Sequence, residues 1–206
     1  MAAPPGLLIV DVDGVLYDYD RAVRVRALAA ALNVEPQAVD DALFASGIED
    51  RADAGELSTD EYLDAVGAQL GCRLDRETWV QARIVCTKPM PGELELTSLA
   101  ATRTQAVTLS NNSLLLKEEM PRIMPELVAL PRVTIHVAAE FGVLKPDPAV
   151  YLALAEHYGV RPGDTAFVDD AERHVKGAER AGMAAHHYRN LDGYRAWLAD
   201  LDLLKP

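Results

Sequence analysis

Two aspartates, Asp11 and Asp13, directly follow the apolar run Leu7-Leu8-Ile9-Val10. A second acidic pair, Asp169-Asp170, directly follows Thr165-Ala166-Phe167-Val168. Ser110 and Asn111 follow Ala106-Val107-Thr108-Leu109, and Lys145 lies in the loop after Val133-Thr134-Ile135-His136-Val137. If these runs are strands of one parallel sheet, their polar ends meet at one rim. Open parallel sheets bind ligands there, outside the carboxyl ends of the strands. Four carboxylates crowded together repel, and some acquire raised pKa values. A hard divalent cation with oxygen ligands removes that conflict, and magnesium takes one or two carboxylates while leaving room for a phosphate. Phosphoryl transfer needs a nucleophile, a neutralising cation and a proton donor for the leaving oxygen. Asp11 can attack phosphorus and form an aspartyl-phosphate. Asp13, two residues on, can reach the leaving group, while Ser110 and Lys145 can hold phosphoryl oxygens. Asn111, beside Ser110, is grouped with them as a substrate contact.

The elements that would position these residues are legible from pattern. Leu7 to Val10 is wholly apolar, as suits a strand buried on both faces. From Asp20 to Cys86 the texture is helical, with no convincing strand. Val23, Ala27, Ala30 and Ala31 would share the face of a first helix, and Pro36 to Ala45 reads as a second. Ser58-Thr59-Asp60-Glu61 is a capping-box pattern that opens a third, closed by Gly71. Asp75 to Val85 reads as a fourth. Lys88-Pro89-Met90-Pro91-Gly92 is stiff and non-helical, a natural boundary. Beyond it the expected helices are 93–102, a stretch broken by Pro121 and Pro125, 148–157 and 171–180. The expected strands are 106–109, 133–137, 165–168 and 183–187. Strands alternating with helices predict a parallel sheet covered on both faces. The expected division is an α/β core from residues 1–17 and 89–206, and a helical domain from residues 18–88.

The bulk numbers narrow the partners. The 206 residues suffice for one sizeable core, or a core plus a modest accessory domain. A formal charge of −12 disfavours nucleic acid and anionic membranes. No apolar run is long enough to span a membrane. Met1 to Gly6 has neither a basic n-region nor a long apolar h-region. Cys72 and Cys86 fit no zinc spacing and are too few for a disulfide scaffold, as expected in a reducing compartment. The expected setting is cytoplasmic, as a monomer or weak dimer. His136, His157, His186 and His187 read as structural or surface residues, Trp79 as part of the helical core, and Arg51 and Glu56 as surface charges.

The four polar sets, in this order and spacing, resemble the motifs of the haloacid dehalogenase superfamily over nearly the whole chain. The first matches Asp11-Val12-Asp13-Gly14-Val15-Leu16, the second Leu109-Ser110-Asn111. The third matches Lys145 in Gly142 to Pro148, the fourth Phe167-Val168-Asp169-Asp170. The resemblance implies an α/β, Rossmann-like parallel sheet with helices on both faces and an inserted all-helical cap domain. It implies a magnesium-dependent phosphatase acting on a small phosphorylated metabolite. Asp11 would be nucleophile and metal ligand. Asp13 would be general acid and base, with its carbonyl on the metal. Ser110 and Lys145 would bind the phosphoryl group. Asp170 would ligate magnesium directly, and Asp169 would act through water or through Lys145. Asp53 to Ser58 resembles the cap loop that faces the site. The Gly55-Glu56-Leu57-Ser58 turn and the Ser110 to Pro125 stretch resemble sugar-phosphate phosphatases, including those acting on glucose 1-phosphate. His174 stands where the family usually has a supportive asparagine.

Three other functions share parts of this pattern. A 2-haloacid dehalogenase also attacks with aspartate, but usually lacks a counterpart of Asp13. A phosphate-accepting receiver domain has a similar set in another order and no helical insertion. A phosphomutase on the same scaffold would differ in its product.

Overall fold

All four residues of β1, Leu7–Val10, have no exposed surface, because this strand lies in the middle of the sheet. The computed structural model describes residues 4–204. Residues 1–3, part of the Met1 to Gly6 stretch, and residues 205–206 lie outside the described residues. β1 pairs in parallel with β4, Gln105–Ser110, on one side and with β6, Thr165–Asp169, on the other. β5, Val133–Val137, and β7, Ala184–His187, complete a five-stranded parallel sheet in the order β5-β4-β1-β6-β7. Successive side chains of a strand point to opposite faces. Leu8 and Val10 accordingly join one core, with Leu94, Leu96, Leu115, Met120 and Leu198. Leu7 and Ile9 join the other, with Val150, Tyr151, Leu154 and Ala178. Each fully buried aliphatic contributes roughly 1.5–3 kcal/mol, so the strand that carries Asp11 is held from both faces.

The covering helices come from α6 (Pro91–Ala100), α7 (Leu114–Ile123) and α11 (Leu191–Asp200) on the first face. The second face is covered by α9 (Pro148–His157) and α10 (Glu172–Arg180). The short α8, Pro125–Val128, follows α7. α11 carries no pattern that the sequence reading used, although Asn190 caps it by accepting from the Gly193 amide at 2.9 Å.

From Asp20 to Cys86 the chain forms no strand, as expected. Just outside those bounds β2 (Tyr17–Tyr19) and β3 (Thr87–Pro89) form an antiparallel ribbon where the insertion enters and leaves, pairing Asp18 with Lys88. Three-residue strands are too short for alternation to be visible. The helical stretch itself departs from the expectation in two ways. There is an additional helix, α3 (Ile48–Asp53), and residues 36–45 divide into α2 (Pro36–Asp40) and a π-turn at Asp41–Ala45. In addition, α1 (Arg21–Leu32) buries Arg24, Val25, Leu28 and Ala29, not the expected face of Val23, Ala27, Ala30 and Ala31. Arg24 is the reason: a paired arginine occupies the inner face. Its guanidinium binds Glu49, Tyr19 and Tyr62. α4 (Thr59–Leu70) follows the pattern closely. Ser58 accepts from the Glu61 amide, Glu61 accepts from the Ser58 amide, and Gly71 ends the helix at φ +66°. α5 (Arg76–Cys86) begins at the Asp75 cap.

α5 also ties the insertion to the core. Arg76 pairs with Glu118 and Glu119 of α7, and Arg122 of α7 reaches back to Glu77. Trp79 lies in the helical core, donating to the Tyr62 hydroxyl at 3.1 Å. Arg51 and Glu56 pair with each other at the surface. Both cysteines are free thiols, Cys86 buried and Cys72 partly so. Among the described residues, no helix is long and apolar enough to cross a membrane.

Candidate active site

The sheet brings the expected residues to one rim. Asp11 follows β1 and is itself almost fully buried, its amide donating to the Val168 carbonyl at 3.0 Å. Lys145, 3% exposed, places its ammonium between two carboxylates, 2.7 Å from Asp11 Oδ1 and 2.6 Å from Asp169 Oδ2. Asp169 is also bonded to His174 Nδ1, 3.0 Å from Oδ1 and 3.1 Å from Oδ2. Asp11, Asp169 and Asp170 each offer an oxygen, all within 4.8 Å of one another.

Two carboxylates share one ammonium here, and they divide it unequally. Burial, followed by the charge of Asp169, pushes the Asp11 carboxyl well above its ordinary value. Burial would also raise Asp169, but Lys145 and His174 outweigh it and hold that group well below the usual carboxylate range. Asp170 is raised, by partial burial and then by Asp169. Burial would lower the Lys145 ammonium, and the two carboxylates overcome that and raise it. Additional positive charge beside Asp11 would favour its ionised form. The hard oxygen donors Asp11, Asp169 and Asp170 suit a small divalent cation such as magnesium.

Gly14 makes the close approach of Asp170 possible. It adopts φ +93°, and a Cβ there would stand 2.4 Å from Asp170 Oδ2. Ser110, at the end of β4, is buried, and its hydroxyl has no partner among the described residues. Asn111, expected as a substrate contact, also straps the lysine loop. Its amide donates to the Lys145 carbonyl and accepts from the Lys145 amide, both at 2.9 Å. One amide hydrogen and one carbonyl lone pair remain. Asp13 is held by Asn112 Nδ2 at 3.1 Å and Arg83 Nη2 at 3.3 Å, both on Oδ2. The Gly55 turn also faces the core, since a Cβ on Gly55 would stand 2.4 Å from the Ala139 carbonyl.

Sequence reasoning missed Arg83 and Asn112, and it noted His174 without its partner. Arg83 carried a signal: with Trp79 and Cys86 it repeats at helical spacing along the buried face of α5. An arginine in step with an apolar stripe calls for a buried acceptor. His187 Nε2 donates to the Asp170 carbonyl, 2.8 Å away, while His186 stacks on Trp197. His136 bonds Glu140 and Tyr158.

Known proteins share stretches of this sequence and its fold. Over 62 residues, 30% of this chain and 25% of the relative, the sequence is 40% identical to a chloroplast flavin mononucleotide hydrolase of Arabidopsis thaliana. Over 80 residues, 38% of this chain and 36% of the relative, it is 39% identical to a phosphatase of Mycobacterium tuberculosis. The chain thus spans about a quarter to a third of the curated relatives it matches. Among solved structures, a haloacid dehalogenase family enzyme of Bacteroides thetaiotaomicron, in complex with magnesium and inorganic phosphate, superposes with a TM-score of 0.75. It is 18% identical, over 90% of this chain and 94% of the other. L-2-haloacid dehalogenase of Xanthobacter autotrophicus superposes with a TM-score of 0.59 at 19% identity, over 95% and 83% of the two chains. A family model described as haloacid dehalogenase-like hydrolase matches residues 6–182, and the chain belongs to that family.

Proposed function

We propose that the chain is a magnesium-dependent phosphatase that hydrolyses a small phosphorylated metabolite through an aspartyl-phosphate on Asp11. The observation that carries this reading is the cluster of Asp11, Asp169 and Asp170 oxygens with the Lys145 ammonium between two of them. Asp11, Asp13 through its main-chain carbonyl, and Asp170 would hold the ion, with Asp169 positioning Lys145. Bound there, magnesium supplies the charge that keeps Asp11 ionised and offsets the negative phosphoryl oxygens. The Ser110 hydroxyl, which has no partner among the described residues, and the Lys145 ammonium hold those oxygens. Asp11 forms a bond to phosphorus as the ester P–O bond breaks, and Asp13 gives its proton to the departing oxygen. Asp13 then takes a proton from the water that cleaves the phosphoaspartyl group, which restores both residues. The insertion of residues 18–88 acts as the cap that closes over the rim and selects the leaving group.

The presence of Asp13, gripped by two donors, favours this reading over a dehalogenase, which has no leaving oxygen to protonate. The test is turnover of an aryl phosphate with magnesium by wild type and Asp11→Asn. The variant is expected to lose at least about a thousand-fold, and chelation is expected to silence the wild type. Wild-type turnover in Asp11→Asn would refute the nucleophile. Metal-independent halide release from a 2-haloacid would favour dehalogenation, and phosphate moved within the substrate rather than released would favour a mutase.

A further inference from the structure

Arg83 belongs to α5, outside the parallel sheet, yet its guanidinium ends on Asp13 of the core. It is 2% exposed. Its Nη2 donates to Asp13 Oδ2 at 3.3 Å, and its Nε, like that of Arg24, is buried with no partner among the described residues. Asn112, from the loop after β4, donates to the same Oδ2 at 3.1 Å. The other oxygen, Asp13 Oδ1, is buried and accepts from no described residue. One oxygen is gripped from two sides and the second is left free.

Arg24 provides the contrast. It is equally buried, but Glu49, Tyr19 and Tyr62 all engage its guanidinium, as befits a residue that ties helices together. Arg83 lies over the Tyr19 ring, 4.6 Å from its centroid, with one long hydrogen bond to Asp13, and the charge of Asp53 also acts on it. A guanidinium buried with few hydrogen bonds costs stability relative to an apolar side chain of similar volume. The one carboxylate it bonds directly is Asp13.

We propose that Arg83 and Asn112 are positioning residues that hold Asp13 by Oδ2 so that Oδ1 is the oxygen that hands the proton to the leaving group. This rests on Asp13 being the proton donor of the proposed reaction. Because Arg83 rides on the helical insertion and Asn112 on the core, the acid is fully oriented only when the insertion is docked. The proton passes from Oδ1–H to the ester oxygen as the P–O bond breaks, and the bonding pair stays on that oxygen.

The experiment compares two leaving groups. 4-Nitrophenolate departs readily as an anion, whereas the alkoxide of glycerol 2-phosphate needs the proton. kcat and KM are measured with magnesium for wild type, Arg83→Ala and Asn112→Ala on both esters. Well-placed general acids contribute about 10²–10⁴-fold. Each variant is therefore expected to lose at least about ten-fold more kcat on the alkyl ester than on the aryl ester. Added guanidinium ion is expected to restore alkyl turnover in Arg83→Ala. Equal losses on both esters, or losses confined to KM, would overturn the proposal. If Arg83→Ala melts below the assay temperature, Asn112→Ala, which leaves the insertion untouched, carries the same comparison. A wild type that hydrolyses neither ester would instead sink the phosphatase reading, and the proposal with it.

Discussion

Replacing Lys145 by methionine removes a charge but little volume. In the wild type its ammonium is 2.7 Å from Asp11 and 2.6 Å from Asp169, all three buried. Without it two buried carboxylates face each other. Removing one partner of a buried ion pair costs about 3–5 kcal/mol. Asp169 keeps His174 at 3.0 Å, so the low end applies, about 3 kcal/mol. For a chain of this size that lowers Tm by roughly 6–12 °C. The assay is thermal unfolding followed by circular dichroism at pH 7 with a chelator present. The wild-type advantage from Asp169, whose carboxyl is held low, is present above the ordinary aspartate range. It is lost as pH falls through the lowered value. In the variant both carboxyls protonate more readily, which relieves their repulsion, so the deficit narrows on acidification. Magnesium, bound to the folded state as proposed, is expected to narrow it too. Adding Asp169→Asn to the variant recovers part of the loss. A Lys145→Met protein that melts within about 1 °C of wild type at pH 7 in chelator, or whose deficit widens on acidification, would refute this reasoning.

Gly14→Ala forces a side chain into φ +93° and to 2.4 Å from Asp170 Oδ2. The backbone strain costs about 1–2 kcal/mol, and the displaced Asp170 is expected to weaken magnesium at least about ten-fold. A magnesium titration of Tm reads this, and an unchanged midpoint would count against Asp170 as a ligand. Glu119→Gln loosens the contact of α5 with α7, because Glu119 accepts from Arg76 at 2.8 Å and Arg122 at 3.1 Å. These arginines are partly exposed, so the loss is about 0.5–1 kcal/mol. Its hydrogen bond to Arg76, chiefly, holds the Glu119 carboxyl low. The gap in Tm to wild type is thus present at pH 7 and closes as pH falls through that lowered value. High salt narrows it, and a salt-independent gap would argue against an ionic contact.

The sheet and the residues on its rim were legible because both depend on local pattern. A strand buried on both faces must be apolar at every position, and Leu7 to Val10 is. Its end must turn polar, and Asp11 does. The capping box at Ser58 and the closing Gly71 were legible for a similar reason, since each needs only its own few residues. What escaped depends on partners distant in sequence. The inner face of α1 was misjudged because Arg24 enters it with Glu49 and Tyr62, 25 and 38 residues away. Arg83 meets Asp13 across 70 residues, and Asn112 meets it across 99. No local pattern encodes such a pairing. Asn111 was grouped with Ser110 by its place in the chain, and its bonds to the Lys145 main chain, 34 residues on, were not foreseen.

The strand order has a consequence for the time at which the site comes into being. The sheet's central strand is the first to be synthesised, but its neighbours are residues 105–110 and 165–169. At about 5–20 residues per second, the ribosome delivers the second neighbour roughly 8–30 s after β1. The helices of residues 21–86 emerge in that interval, and an isolated helix forms within about a microsecond. The apolar tetrapeptide that precedes Asp11 must therefore wait for its first neighbour until residue 110 and for its second until residue 169. The carboxylates are drawn together only in the last stage, when β6 docks. A nascent chain interrupted before residue 165 carries Asp11, Ser110 and Lys145 but has no site in which they act together.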